Sequence, residues 1–464
     1  MNGMRFSRIF FSIVVFVVGY YLAVFTTGCA QIGMPTGGPK DTLAPRLTSA
    51  SPAINSVNVT GNKVTLSFNE YIELKDPQTN VLISPFPKKQ LQIDYKLRTV
   101  TVKLKDTLMP NTTYSINFGN AIVDVNEGNA YKNFTYVFST GNSIDSLMLD
   151  GKVLIAETGK ADSTLIAMLY RNADDSSVQK RKPDYITRLS GDGSFSFLNL
   201  PAGTYKVYAL KDGDGAKTYN SKKEVFAFAS EDIIVSATNN PVMLYASAIE
   251  KETPRTGAGK PAPEKRLRFS VAPSSAIQDL LQPFEVSFNN PLKTFDTGKL
   301  VLTDTNYKPI PGKWQIDSTR TKITLTVQWK PETPYRLVMD TTAFADSAGR
   351  HLTKLDTIRF VTRRVEDYGS LVLRFSNLDL GKKPVLQFVQ GEEIKESYPV
   401  TAAEWSNKMM PPGDYEIRIL YDSNQNGKWD PGNYSKKLQP EQVIALPQKL
   451  AIKANWDNER DIKL

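Results

Sequence analysis

The chain has 464 residues, a net charge of +9, one cysteine, one histidine and 10% aromatic residues. That length is enough for three to four ordinary domains. A single cysteine leaves no disulfide to staple them, and a single histidine excludes His-rich metal sites.

The N-terminus carries Arg5 and Arg8, an apolar run from Ile9 to Phe25, and then Thr26-Thr27-Gly28-Cys29. A basic segment, an apolar segment and small residues in that order read as a secretory signal peptide over residues 1–28. The other reading is an uncleaved anchor, since the apolar run could just cross a bilayer core of roughly 30 Å. Cys29 directly after Gly28 resembles the lipobox of bacterial lipoproteins. That resemblance implies cleavage between Gly28 and Cys29, lipidation of Cys29, and attachment to a membrane by several acyl chains, which together hold stably where one would not. Removing residues 1–28 takes away Arg5 and Arg8 and no acid, so the charge falls from +9 to +7. Spread without a basic block, that excess gives no argument for nucleic acid.

Residues 29–44, containing Gly37-Gly38-Pro39-Lys40-Asp41, read as a lipidated leash in which glycine and proline prevent regular structure. This stretch resembles the segment after the lipidated cysteine in a group of Bacteroidota outer-membrane lipoproteins, where it leads into an immunoglobulin-like domain. The implied location is the outer membrane, on either its periplasmic or its outer face.

Beyond the leash the chain repeats. Lys63 to Glu70 matches Pro283 to Asn290 in type and order, Arg98 to Leu104 matches Thr321 to Val327, and Asn111 to Ile116 matches Glu332 to Leu337, each about 220 residues apart. The stretches alternate with period two, so Val100, Val102 and Leu104 are expected inward and Thr99, Thr101 and Lys103 outward. Several such strands at short spacing give a β-sandwich. With Pro45, Ser51-Pro52 and the Val64 to Phe68 strand, residues 45–142 resemble the SbsA-type bacterial Ig-like domain, and residues 266–363 are its second copy.

A different unit follows each copy. Asp192 to Tyr205, with Phe195, Phe197 and the Pro201-Ala202-Gly203 turn, resembles the carboxypeptidase regulatory-like, transthyretin-type sandwich, expected over 146–248. Met409 to Ile417 repeats it within 368–464, with Tyr205 and Tyr415 separated by 210 residues, as are Asp212 and Asp422. Between the halves, residues 249–265 are rich in proline, glycine and charge and read as an exposed linker that lets the halves move unless they pack together. The expected fold is all-β: tandem sandwiches, Ig-like then transthyretin-like, twice over.

One loop has ligand spacing. Asp422, Asn424, Asn426 and Asp430 stand at positions one, three, five and nine, with Gly427 at six and the Lys428 carbonyl at seven, the order of a calcium loop. Position twelve is Asn433 rather than glutamate. The same residues also read as a polar hairpin turn bonding its own backbone. Asp-Ser and Asp-Thr pairs resemble the O-glycosylation acceptor of Bacteroidota, which would place sugar on Thr107, Ser146, Ser347 and Thr357. Trp314, Trp329, Trp405 and Trp429 read either as core residues or as stacking platforms for glycans.

No paired carboxylates stand out as a catalytic site, and no cofactor other than calcium is implied. The leading functional reading is a noncatalytic, lipid-anchored scaffold or interaction module with outer-membrane or periplasmic protein partners, such as an accessory subunit of an assembly or transport complex. The alternatives are a glycan-binding or adhesive surface lipoprotein and, more remotely, a carboxylate-dependent hydrolase.

Overall fold

The structure is a computed structural model that describes residues 11–21, 40–250 and 266–464. Residues 11–21 are helical, and among the described residues no helix is long and apolar enough to cross a membrane. Gly28, Cys29 and most of the predicted linker lie outside the described residues. The chain divides into two compact units, one of Met1–Val81, Lys89–Leu108 and Ile116–Phe138, the other of Leu82–Lys88, Met109–Ser115 and Ser139–Leu464.

In the first unit an antiparallel sheet runs in the order Leu47–Ser51, Lys63–Phe68, Thr99–Lys103, Gln92–Lys96. Val64 stands opposite Val102 and Leu66 opposite Val100. All four are buried, as is Leu104, so the period-two expectation holds. Each such aliphatic side chain taken from water contributes roughly 1.5–3 kcal/mol. Ile72–Leu74 pairs with Ile122–Asp124 beside this sheet. The buried Tyr136 hydroxyl donates to the carbonyl of Pro52 at 2.9 Å, which ties the closing strand to the opening one.

Among the described residues the second unit holds three sandwich-like modules. In residues 269–362 one sheet has the order Phe269–Ala272, Phe284–Phe288, Lys322–Thr326, Lys313–Ile316, the same path as in the first unit. Phe284 opposes Leu325 and Val286 opposes Ile323, repeating the register of the first copy. Facing it are Ile277–Gln278, Asp356–Thr362, Pro334–Met339 and Leu300–Thr303.

The other two modules, residues 147–246 and 369–463, share one topology. Leu147–Ile155 lies between Ser194–Leu200 and a parallel Val242–Ala246; Gly369–Ser376 lies between Glu404–Met410 and a parallel Asp457–Lys463. In the facing sheets, Ile166–Arg171 and Gly203–Leu210 are the central pair of one, Pro384–Gln390 and Gly413–Tyr421 of the other. Tyr205 donates to the carbonyl of Pro201 at 2.8 Å and Tyr415 to that of Pro411 at 3.0 Å, so the Pro-x-Gly turn is pinned alike in both. The Glu404–Met410 strand takes the place of the Phe195-containing strand despite lacking its Phe-x-Phe pattern, because Trp405 fills the core against Phe388 and Tyr398.

Candidate functional site

Ile166–Arg171 and Gly203–Leu210 do not alternate in burial. Ala167, Leu169, Tyr205 and Val207 face their own core, while Met168, Tyr170, Tyr208 and Leu210 join a second buried cluster with Val178, Tyr219, Phe226 and Phe228. Tyr434, from the 369–463 module, completes that cluster. Its ring lies edge-on to Phe228 at 5.1 Å, Phe226 at 5.3 Å and Tyr208 at 5.7 Å, arrangements in which ring edge meets ring face. The Tyr434 hydroxyl donates to the Asp175 carbonyl at 2.6 Å and stands 2.8 Å from the Tyr208 hydroxyl, which is therefore the donor of that pair. Burial pushes both phenols above the ordinary tyrosine range.

Polar bonds ring this contact. Asp175 accepts from Lys206 at 2.8 Å and Lys437 at 2.9 Å, and those bonds hold its carboxyl below the usual range. The amide of Val443 donates to the Ala156 carbonyl at 3.1 Å, and Gln439 donates to the Phe228 carbonyl at 3.0 Å. Lys160 pairs with Glu416 at 2.5 Å; burial raises the Glu416 carboxyl, but the bonds from Lys160 and Arg418 outweigh it and leave it lowered. Gly159 has φ +67, and a Cβ there would sit 2.5 Å from the Val443 carbonyl oxygen. The two modules of like topology are thus docked, so of the two arrangements left open for the halves, free movement about a linker or packing together, these modules take the second. The reason lies in strands that are apolar on both faces and need a second cover.

Beside the dock two cavities of about 740 and 410 Å³ open between these modules. Trp429, Glu157 and Ala248 line both. Trp429 is half-buried against Val385, Leu420 and Val443, and its Nε1 donates to the Glu441 carbonyl at 2.8 Å. The larger cavity is also lined by Lys211, Lys223, Asp214, Asn220 and Glu224.

The predicted calcium loop is closed on itself. The buried Asp422 carboxylate accepts the amides of Asn426 at 3.2 Å and Gly427 at 2.7 Å, with Gly427 at φ 74. Asn424 and Asn426 turn their amide nitrogens, not their oxygens, to Asp430 Oδ2, at 2.6 and 2.7 Å, and the Asn426 oxygen accepts from the Lys428 amide. Among the described residues no group of three or more His, Cys, Asp or Glu side chains is placed to hold a metal. Calcium therefore finds no support here, and the residues form the polar turn that was the other reading. In the first copy Asp212 is likewise taken up, by the amide and the ammonium of Lys217.

Of the Asp-Ser/Thr sites, Thr107, Ser146 and Ser347 are exposed, whereas Thr357 is half-buried within Asp356–Thr362, opposite Val338. Asp346, beside Ser347, is buried and paired with Arg350 at 2.6 Å. His351 is exposed, its Nδ1 3.1 Å from the Phe344 carbonyl. Trp329 is buried and donates to the Gln282 carbonyl at 3.0 Å, and Trp314 and Trp405 pack on their own cores. The exposed tryptophan is Trp456, 60% accessible, which the strand pattern does not single out. Its polar neighbours Asn455, Asp457 and Asn458 were the available signal.

Two stretches, residues 41–140 and 246–362, match the bacterial Ig-like domain family, so the chain carries two bacterial Ig-like domains. No curated protein matches the sequence. Among solved structures the chain is similar to BcpA, the major pilin subunit of Bacillus cereus, at 12% identity and TM-score 0.18, covering 69% of this chain and 99% of that one. It is also similar to the Bacillus anthracis TIE protein, at 11% identity and TM-score 0.17, covering 92% and 76%. A third is the N-terminal part of the bacterial S-layer protein SbsC, at 15% identity and TM-score 0.16, covering 45% of each.

Proposed function

We propose that the protein is a noncatalytic interaction module of the bacterial cell envelope, lipid-anchored through Cys29 to the outer membrane and acting as a scaffold for an outer-membrane assembly or transport complex. The observation that carries this reading is the alternation of two bacterial Ig-like domains with two modules of one shared topology, the latter docked through Tyr434. Such an arrangement offers fixed surfaces rather than a reacting centre. The carboxylates of its most buried turns, Asp422 and Asp346, are occupied by backbone amides and a guanidinium. We read the two alike modules as transthyretin-type sandwiches on the Pro-x-Gly turn and its tyrosine, and Thr107, Ser146 and Ser347 as O-glycosylation acceptors on exposed loops.

Affinity isolation of the tagged full-length protein from native membranes tests the scaffold role. Stoichiometric recovery of an integral outer-membrane protein is expected, and its absence under gentle detergent removes that role. Intact mass of the same sample tests the anchor: residues 1–28 should be gone and Cys29 should carry acyl chains, and an unmodified Cys29 behind an uncleaved leader refutes it.

A further inference from the structure

We propose that the Trp429 cleft, between the 147–246 and 369–463 modules, is a binding site for a neutral saccharide. Ligand pockets commonly occupy about 300–1,000 Å³ at domain interfaces, with an apolar wall and a few oriented polar groups. The two adjoining cavities meet that description at about 740 and 410 Å³, and Trp429 stands in the lining of both. The indole is held in place before any ligand arrives, by its bond to the Glu441 carbonyl and by contact with Val385, Leu420 and Val443. A rigid aromatic wall suits the C–H face of a pyranose ring, which is apolar while its edge carries hydroxyls.

The rim supplies the partners for those hydroxyls. Asp214 accepts the Asn220 side-chain amide at 2.8 Å, Glu224 accepts the Asn220 and Ser221 backbone amides at 2.9 and 3.0 Å, and Lys211 is paired with Asp162 at 3.1 Å. These groups are therefore oriented, and their charges are partly met within the protein. Lys223 and Glu250 line the larger cavity, Lys428 the smaller and Glu157 both, so each rim carries cations and carboxylates together. Signs so interspersed create no strong net field, which disfavours selection of an ion. They do present donors and acceptors side by side, as a polyol requires.

This site does not depend on the proposed protein partner. The test is binding of the full-length protein to an array of neutral oligosaccharides, including cellotetraose and triacetylchitotriose, at low and high ionic strength. Retention that is insensitive to salt is expected, because no ion pair is screened. Trp429→Leu should weaken it by tenfold or more. Should that variant fold poorly, the Lys223→Ala/Glu250→Ala pair, both exposed, should weaken it by about tenfold, equivalent to roughly 1.4 kcal/mol. Failure to retain any neutral oligosaccharide, equal retention by the parent and both variants, or retention only of oligolysine with loss at high salt would each overturn the proposal. Recovery of the membrane partner should be unchanged in the Lys223→Ala/Glu250→Ala protein, which separates the two readings.

Discussion

The hydroxyls of Tyr208 and Tyr434 lie 2.8 Å apart although 226 residues separate them in sequence. Tyr434 is 7% exposed and surrounded by the rings of the other module. Truncating a buried aromatic side chain to alanine typically costs about 3–5 kcal/mol. Tyr434→Ala should therefore undock the modules and split thermal unfolding into separate transitions. Tyr434→Phe keeps the ring and loses only the bonds to Asp175 and Tyr208, so it should cost about 1–3 kcal/mol and leave one transition.

Gly159→Ala should weaken the same contact from the opposite side. The added methyl meets the Val443 carbonyl at 2.5 Å, and the backbone is in the left-handed region that alanine avoids. Crystallography or hydrogen exchange of the variant should show loss of the Val443–Ala156 bond without damage to either core.

Acid should loosen the dock. The Glu416 and Asp175 carboxyls are lowered in the folded state, so their stabilisation is present above the ordinary carboxylate range and is lost as pH falls through their lowered folded values. Glu416→Gln should flatten that acid limb in a titration of melting temperature. Alkali acts through the phenols. Tyr205, pushed up to about 12 by burial, is stabilising below the ordinary tyrosine value near 10 and loses that contribution as pH rises through its folded value. Tyrosinate absorbance should therefore lag behind that of a free phenol until the modules unfold.

Asp422→Ala should destabilise the 369–463 module by about 1–3 kcal/mol, because the Asn426 and Gly427 amides lose their acceptor. The loss should be the same with calcium as with a chelator. A melting temperature of the parent protein raised by calcium would contradict the closed turn.

Much of the fold was legible because one-sided strands announce themselves. Val64, Leu66, Val100 and Val102 alternate with polar residues, and the same alternation in Phe284, Val286 and Phe288 reveals the duplicate. The dock was harder to read, since Ile166-Ala167-Met168-Leu169-Tyr170 is an unbroken apolar run and periodicity cannot say what covers its second face. Its cover, Tyr434, sits in a polar loop between Asn433 and Ser435, where a tyrosine carries no signal of burial. The spacing of Asp422 to Asp430 was informative about the turn but silent on which amide atom each asparagine would point inward.

Docking through Tyr434 closes a circuit in the chain. A protease that severed the backbone anywhere between residues 251 and 265 would release no fragment, because the 147–246 and 369–463 modules would still grip one another through Tyr434, Val443 and Gln439. Load applied to the C-terminal module would likewise pass straight into its earlier twin through these contacts.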